Sequence, residues 1–479
     1  MIVYWAALVG ALWLGALLAA LLPARRRRWA RQVALAAVAT AVLGAVALVR
    51  AAGPHVAWGP EGADSMLRLD PLALPFLANV LGVSLVAVGY GWGYLDGIHD
   101  EHLCYALMLA FCGSMVGALV ADSAVLFFVL WEGMLLASSL LLAGWGEGES
   151  ITRVTLKYFA YTQLGSLLVL IALDWMVATT GSAHVPTIAA RLPAMAGGSW
   201  AWVAGILFAG FAVKLAVFPL HGWLPDAHAV APMPVTVMLA AAMLGMGAYG
   251  MLRFGGLFLQ NGVAAGLQVP MMALALVSQV YGALMCLAAR DIKRLIAYSS
   301  VSQMGYVLFA LGSFTVQGVA GGVLHVVNHG MLKALLFMGV GLVIRSTGRR
   351  HVAQLGGLAR VMPGVVLGLS VGALAMTGLP PFCAFHSEWL IIEGGLASSV
   401  PLLGYLEFVA PLATTAYAAW LVGRLTLGQG VGEFTVLATP MAMRYAFYGS
   451  VALALLLGLA PGALYRWADG AAAMSGLGG

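Results

Sequence analysis

The stretch Trp200-Ala-Trp-Val-Ala-Gly-Ile-Leu-Phe-Ala-Gly-Phe-Ala-Val-Lys214-Leu-Ala-Val-Phe-Pro-Leu220 runs straight into His221-Gly-Trp-Leu-Pro-Asp226-Ala-His228, then Pro232 and Pro234. The run is apolar apart from its lysine. A helix needs about twenty residues to cross a bilayer, so a lysine about fifteen residues in lies within the hydrocarbon. An ammonium there costs several kcal/mol unless it is paired, hydrated or deprotonated. A lysine snorkelling from a helix end is the plainer reading. The polar, proline-broken segment that follows at once points instead to part of an ion path.

Composition agrees with a membrane chain. Of 479 residues, 62% are hydrophobic and 9% charged, with a mean hydropathy of +0.97. Such a balance excludes a soluble globular class and indicates an all-α polytopic protein in a lipid bilayer. The basic run Arg25 to Arg28 follows the first apolar stretch, the reverse of a cleaved signal peptide. The first stretch is therefore expected to be a permanent helix.

Apolar runs give about fourteen helices, over 2–22, 32–51, 72–95, 102–121, 123–144, 156–179, 200–219, 232–253, 268–289, 295–313, 317–344, 363–390, 402–424 and 445–463. The segments around 52–70 and 180–199 read as short polar loops, and the Gly/Ala/Ser tail at 470–479 as frayed. Most Lys and Arg, including Arg153, Lys157, Lys293, Arg294, Arg345 and Arg350, fall on alternate connections. Arg50, Arg68, Arg191, Arg253 and Arg466 fall on the other side. The positive-inside rule then puts both termini outside the cytoplasm of a cell inner membrane.

Cys104, Cys112, Cys286 and Cys383 are scattered, without a CxxC or Cys/His cluster. No phosphate-binding glycine motif occurs either. Neither metal, cofactor nor nucleic acid is expected.

Other ionisable residues fall inside spans. Glu132 lies about ten residues, roughly 15 Å of helix, beyond Asp122. It is either a protonated carboxyl in a helix interface or a partner that tunes Lys214. His325, His329 and Lys333 are spaced by fours on one helix face, about 6 Å apart, which one or two waters can bridge. Core histidines with satisfied hydrogen bonds are the plainer alternative, but three titratable groups in register favour a proton wire. Glu388 lies in Thr377-Gly-Leu-Pro-Pro-Phe-Cys-Ala-Phe-His386-Ser-Glu388-Trp, where Gly-Leu-Pro-Pro interrupts a long apolar span. Two broken, charged helices, one per half, suit two inverted five-helix repeats. The expected division is 1–101, 102–254 (first repeat), 268–426 (second repeat) and 440–479.

The block from Lys214 to Val235, Asp291-Ile-Lys-Arg-Leu-Ile-Ala-Tyr-Ser-Ser-Val-Ser-Gln-Met-Gly-Tyr306, His325-Val-Val-Asn-His-Gly-Met-Leu-Lys-Ala-Leu-Leu-Phe337 and the Pro-Pro-Phe…Ser-Glu-Trp segment together resemble one family. It is the antiporter-like membrane subunits of respiratory complex I, particularly the M-type, with relatives in membrane-bound hydrogenases and multisubunit cation/proton antiporters. The resemblance covers about residues 66 to 430. It implies that Glu132 and Lys214 form a gating pair, that His325, His329 and Lys333 relay protons, and that Glu388 is the twelfth-helix acid.

It further implies a proton-translocating subunit working beside other membrane subunits of a complex I-type or hydrogenase-type oxidoreductase, itself carrying no electron. A Na+/H+ antiporter subunit, or a proton-conducting companion in inorganic-carbon uptake, are alternatives. One departure stands out. Gly245 occupies the place where complex I subunits usually carry an eighth-helix lysine, so water or His221 and His228 would have to join Lys214 to the histidines. Gly245, with Gly247, is expected to leave a void that holds such water.

Overall fold

The protein, seen in a computed structural model, is described for residues 1–23, 26–59, 64–195, 200–259, 265–427 and 437–474. It is a bundle of helices whose only sheet, among the described residues, is a two-stranded antiparallel hairpin, β1 (Val56–Trp58) with β2 (Leu67–Leu69). In hydrocarbon each backbone N–H and carbonyl must find a partner within the protein, which only helices and closed barrels supply.

Among the described residues, twelve helices are long and apolar enough to cross a membrane. The first six are α1 (Ile2–Leu21), α2 (Arg27–Ala52), α3 (Ala73–Tyr94), α4 (Glu101–Val120), α5 (Ala124–Trp145) and α6 (Ile151–Thr180). The described helices match the expected spans within a few residues. Differences lie in the connections. The 52–70 segment holds the hairpin, and 180–199 holds a short helix, α7 (Val185–Met195).

Next come α8 (Trp200–Leu215), α9 (Leu224–Val230) and α10 (Met233–Phe258). α8 ends at Leu215, earlier than the expected 219, because the next residues cannot continue a helix. Ala216 takes a positive φ of 58° and Pro219 offers no N–H. Trp223 Nε1 reaches back to the Val213 carbonyl at 3.0 Å, which also accepts from Ala216 N at 3.2 Å.

α10 is wholly buried, and its apolar window touches only protein. It contains two π turns, at Leu239–Met243 and Met251–Gly255. A wide turn disturbs the regular carbonyl pairing. Beside the first, the Asn79 side chain of α3 donates to Ala241 O at 2.9 Å.

The second half consists of α11 (Gln268–Ala288), α12 (Ile292–Gly312), α13 (Val316–Thr347), α14 (Pro363–Ala375), α15 (Cys383–Leu396), α16 (Pro401–Leu427) and α17 (Met441–Leu459). Side chains start two of these: Asp291 accepts from Arg294 N at 3.1 Å and Thr315 from Gly318 N at 3.1 Å. α14 and α15 are the halves of the second broken helix. The last helix, α18 (Gly462–Ala473), packs on α13 and α3. It takes in the start of the segment expected to fray; residues 475–479 lie outside the described residues, as does Arg25 of the basic run.

Several ion pairs tie helix ends together. Arg253 of α10 forms a two-pronged pair with Asp70, at 2.5 and 2.8 Å, just before α3, and donates to Tyr249 Oη at 2.9 Å. Arg31 of α2 bonds Glu101 of α4 and Asp96 in the α3–α4 turn. Its hydrogen bond holds the exposed Asp96 carboxyl below the ordinary range.

Arg253 was counted with the loops from sequence; the structure buries it, and its charge is matched there. Removing one member of a buried pair strands the other, a cost of about 3–5 kcal/mol. Arg253→Met should therefore lower the detergent unfolding temperature strongly, and Arg253→Met with Asp70→Asn should recover part of the loss. Equal melting of the single and double variants would show that the pair does not hold α10 to α3.

Candidate functional site

Lys214 occupies the last turn of α8, where its side chain is buried at 2% exposure. Its Nζ has no hydrogen-bond partner. The ammonium lies over the Trp131 ring, 5.1 Å from the centroid, a contact that partly offsets desolvation. Trp131 is itself fixed by a 3.0 Å bond to Ser166. Glu132, next to it on α5, acts on the lysine by its charge. Yet the two make no ion pair within 4.0 Å, and Glu132 Oε1 is unpartnered. The pair is thus drawn together in one region but open.

α13 carries the second group, entirely buried. His325 bonds Ser387 on α15 through Nδ1 at 3.0 Å and Gln303 on α12 through Nε2 at 3.1 Å. Asn328 donates to Ser387 Oγ at 3.2 Å and to Cys383 O at 2.9 Å, tying the same two helices. His329 Nε2 has no partner. Lys333 Nζ donates to Ser299 Oγ and to Ile296 O. His325, His329 and Lys333 therefore share one face of α13, as their spacing by fours predicts.

His221 and His228 lie on either side of the first helix break, and the structure separates them. His221 packs against Phe218 and Tyr281, with ring centroids 5.8 and 4.8 Å away. His228 sits edge-on to Phe337 of α13 at 5.5 Å, with both ring nitrogens unpartnered. The charges of Lys333 and Lys293 reach it, and it in turn acts on His329. His228 therefore belongs with the α13 row. His221 faces the other way, toward Tyr281 on α11.

The void expected at Gly245 is absent. A Cβ there would fall 2.6 Å from Val326 Cγ1 of α13, and one at Gly247 would fall 2.9 Å from Leu215 N of α8. These glycines exist for close approach: they let α10 pack dry between the lysine helix and the histidine helix. α10 thus stands between Lys214 and the α13 row, and His228 of α9 stands beside that row.

Glu388, on α15, is 3% exposed with neither carboxylate oxygen bonded. It folds back on Gly378 of the break, whose φ of +68° and bare Cα leave it room. Two further groups escaped the sequence reading. Lys293, counted with the loops, is wholly buried at the start of α12. It donates to Ala231 O at 2.8 Å and pairs with Glu147 at 3.4 Å, to which Tyr94 donates at 2.6 Å. Glu407, in α16, is 0% exposed and accepts from Gln279 Nε2 at 2.8 Å. The signal for it was present: an acid inside the apolar run 402–424, the same anomaly that picks out Lys214. No grouping of three or more His, Cys, Asp or Glu able to hold a metal occurs among the described residues.

The sequence profile of the NADH:quinone oxidoreductase/Mrp antiporter transmembrane family matches residues 121–413, more than half of the chain. The chain belongs to this family. It is 33% identical to NADH-quinone oxidoreductase subunit M of Rhodobacter capsulatus over 84% of this chain and 80% of that one. The fold superposes on a chain of the membrane-bound sulfane sulfur reductase, an archaeal respiratory membrane complex, with a TM-score of 0.88 at 23% identity, covering 98% and 97% of the two chains. It superposes on a chain of the Mrp complex from Dietzia sp. with a TM-score of 0.86 at 31% identity, covering all of this chain and 52% of that one. As a member of this antiporter family, the chain is a multi-pass membrane protein.

The dry packing at position 245 has a direct test. Gly245→Leu and Gly245→Lys should both reduce the yield of folded protein, since overpacking costs about 1–3 kcal/mol. Adding Val326→Ala should restore it for Gly245→Ala, measured by size-exclusion profile after heating. A well-folded Gly245→Leu would show that space exists there after all.

Proposed function

We propose that the chain is the proton-translocating, antiporter-like membrane subunit of a multisubunit respiratory complex of the NADH-quinone oxidoreductase type. One observation carries this reading: a row of titratable side chains, all buried except the half-buried Glu132, runs from Glu132 and Lys214 past His228, Lys333, His329 and His325 to Glu388, and most have atoms without a protein partner. Natural proteins leave few buried polar groups unpaired, because each costs about 1–3 kcal/mol. Groups kept so are free to exchange protons with water.

The similarity to subunit M over most of both chains supports other membrane subunits as partners. In this reading a neighbouring subunit drives the row electrostatically. Closing of the Glu132–Lys214 pair favours the charged lysine, and opening it favours proton release toward the α9 break. His228 then hands the proton to Lys333 or His329. In this reading 102–254 and 268–426 are the two inverted repeats, 1–101 and 440–479 flank them, and both termini lie on the outer side of a cell inner membrane.

Glu132→Gln and Lys214→Ala should each abolish most proton translocation by the whole complex in proteoliposomes, with assembly largely intact. Wild-type pumping in both would remove the proposed role. Repeating the assay without sodium distinguishes cation exchange, since a Na+/H+ antiporter subunit would stop.

A further inference from the structure

Glu407 is used by no step described so far, yet it is an acid held inside the bundle. It lies six residues after Pro401, about 9 Å along, at the turn that joins the helical segments Pro401–Leu406 and Val409–Leu427, with Glu407 N bonded to Leu403 O at 3.1 Å. Glu388 lies eight residues before the end of α15 at Leu396, about 12 Å from it. The two helix ends meet in the 396–401 turn. Glu407 is therefore the nearer of the two acids to that face of the protein.

The space between them is polar. Its walls come from α11, α12, α13, α15 and α16. Tyr306 stacks on the His325 ring at 5.4 Å and shares a 3.1 Å bond with Thr414. Both carboxylates act on Tyr306 by their charge, Glu388 acts on Tyr417, and Glu388 acts on Glu407 itself. Yet Gln279 Oε1, both oxygens of Glu388 and Glu407 Oε2 have no protein partner. Four such atoms around one region exceed what a dry core tolerates, whereas a few waters with two to four polar partners each would satisfy them.

From Glu407 toward the 396–401 turn the polar character continues. Gln268, 8% exposed, donates to Ser313 O at 2.7 Å and accepts from Ser399. Ser313 and Thr315 share a 2.9 Å bond, and Thr315 donates to Gly394 O at 3.2 Å. These hydroxyls and amides join the ends of α11, α12, α13 and α15.

We propose that Glu407 is a further proton-carrying residue, which receives the proton from Glu388 through water in the Gln279–Gln303–Tyr306 chamber and passes it to the face at the 396–401 turn. The inference rests on the function proposed above. In the step, the O–H bond of the Glu388 carboxyl breaks, water carries the proton, and an O–H bond forms on Glu407 Oε2. Glu388 is left as carboxylate and no electron moves. Two acids that feel each other do not both hold a charge readily, so a proton arriving at one favours release from the other. Gln279 is a positioning residue, its amide fixing Oε1 so that Oε2 faces the chamber.

The competing account is structural: Glu407 stays protonated and merely ties α16 to α11 through Gln279. The assembled complex decides between them. Glu407→Gln keeps the size and a hydrogen-bonding group, and should assemble while proton translocation falls about tenfold or more; Glu407→Asp should recover a substantial part. Infrared difference spectra of the wild-type complex between acidic and alkaline medium should contain a protonated-carboxyl band that shifts in Glu407→Asp, which a structural acid would not supply. This second measurement decides even if Glu407→Gln misassembles.

Translocation at the wild-type rate in Glu407→Gln, with Lys214→Ala inactive in the same assay, would overturn the Glu407 role alone. If Lys214→Ala also pumped normally, the function beneath it would fail. A carboxyl band unaffected in Glu407→Asp, or loss in Glu407→Gln of sodium dependence only, would equally overturn the proposal.

Discussion

In a hydrocarbon surround, a backbone carbonyl left without a donor is as costly as an unpaired side chain, and the whole architecture answers to that demand. Unbroken helices meet it automatically. The two interrupted ones end inside the bundle, where neighbouring side chains hold them: the Trp223 indole donates to Val213 O, and the Asn328 amide to Cys383 O. Both breaks thereby stay protein-lined, and each sets an ionisable side chain, Lys214 or Glu388, inside the bundle and not against lipid.

The same demand explains why α10 is so poor in side chains. Its glycines give up volume so that α8 and α13 can pack against it from opposite sides, and Asn79 takes the carbonyl that its π turn exposes. A helix of this kind is a wall. In the function proposed above the titratable groups communicate around it, through the α9 segment, where the fold leaves His228 with two unengaged nitrogens.

Much of this was legible in the sequence, for reasons that differ by residue. Helix positions follow from apolar run lengths, which the bilayer thickness fixes. Lys214, His325, His329, Lys333 and Glu388 are visible because charge in such runs is costly and rare. Gly245 was misread because a missing side chain looks the same whether the space is empty or filled by a neighbour such as Val326. Lys293 and Arg253 were misplaced because charge near a span end reads as loop, whereas only tertiary contact shows that Glu147 and Asp70 receive them. The 180–199 helix was missed because a short amphipathic helix at the surface lacks the length signal that reveals a span.

The vertical spread of the α13 row has an electrical meaning. Lys333 and His325 are eight residues apart, about 12 Å along a helix, or about 11 Å across the membrane at the usual tilt of ~20°. The hydrocarbon is about 30 Å thick, so a charge moving from one to the other crosses over a third of it. A full crossing costs about 2.3 kcal/mol per 100 mV. This single helix face then carries about 0.8 kcal/mol of that work per 100 mV, and sideways steps between helices carry almost none. Membrane voltage would act on the row along α13 far more than on the lateral exchange between Lys214 and its partner acid.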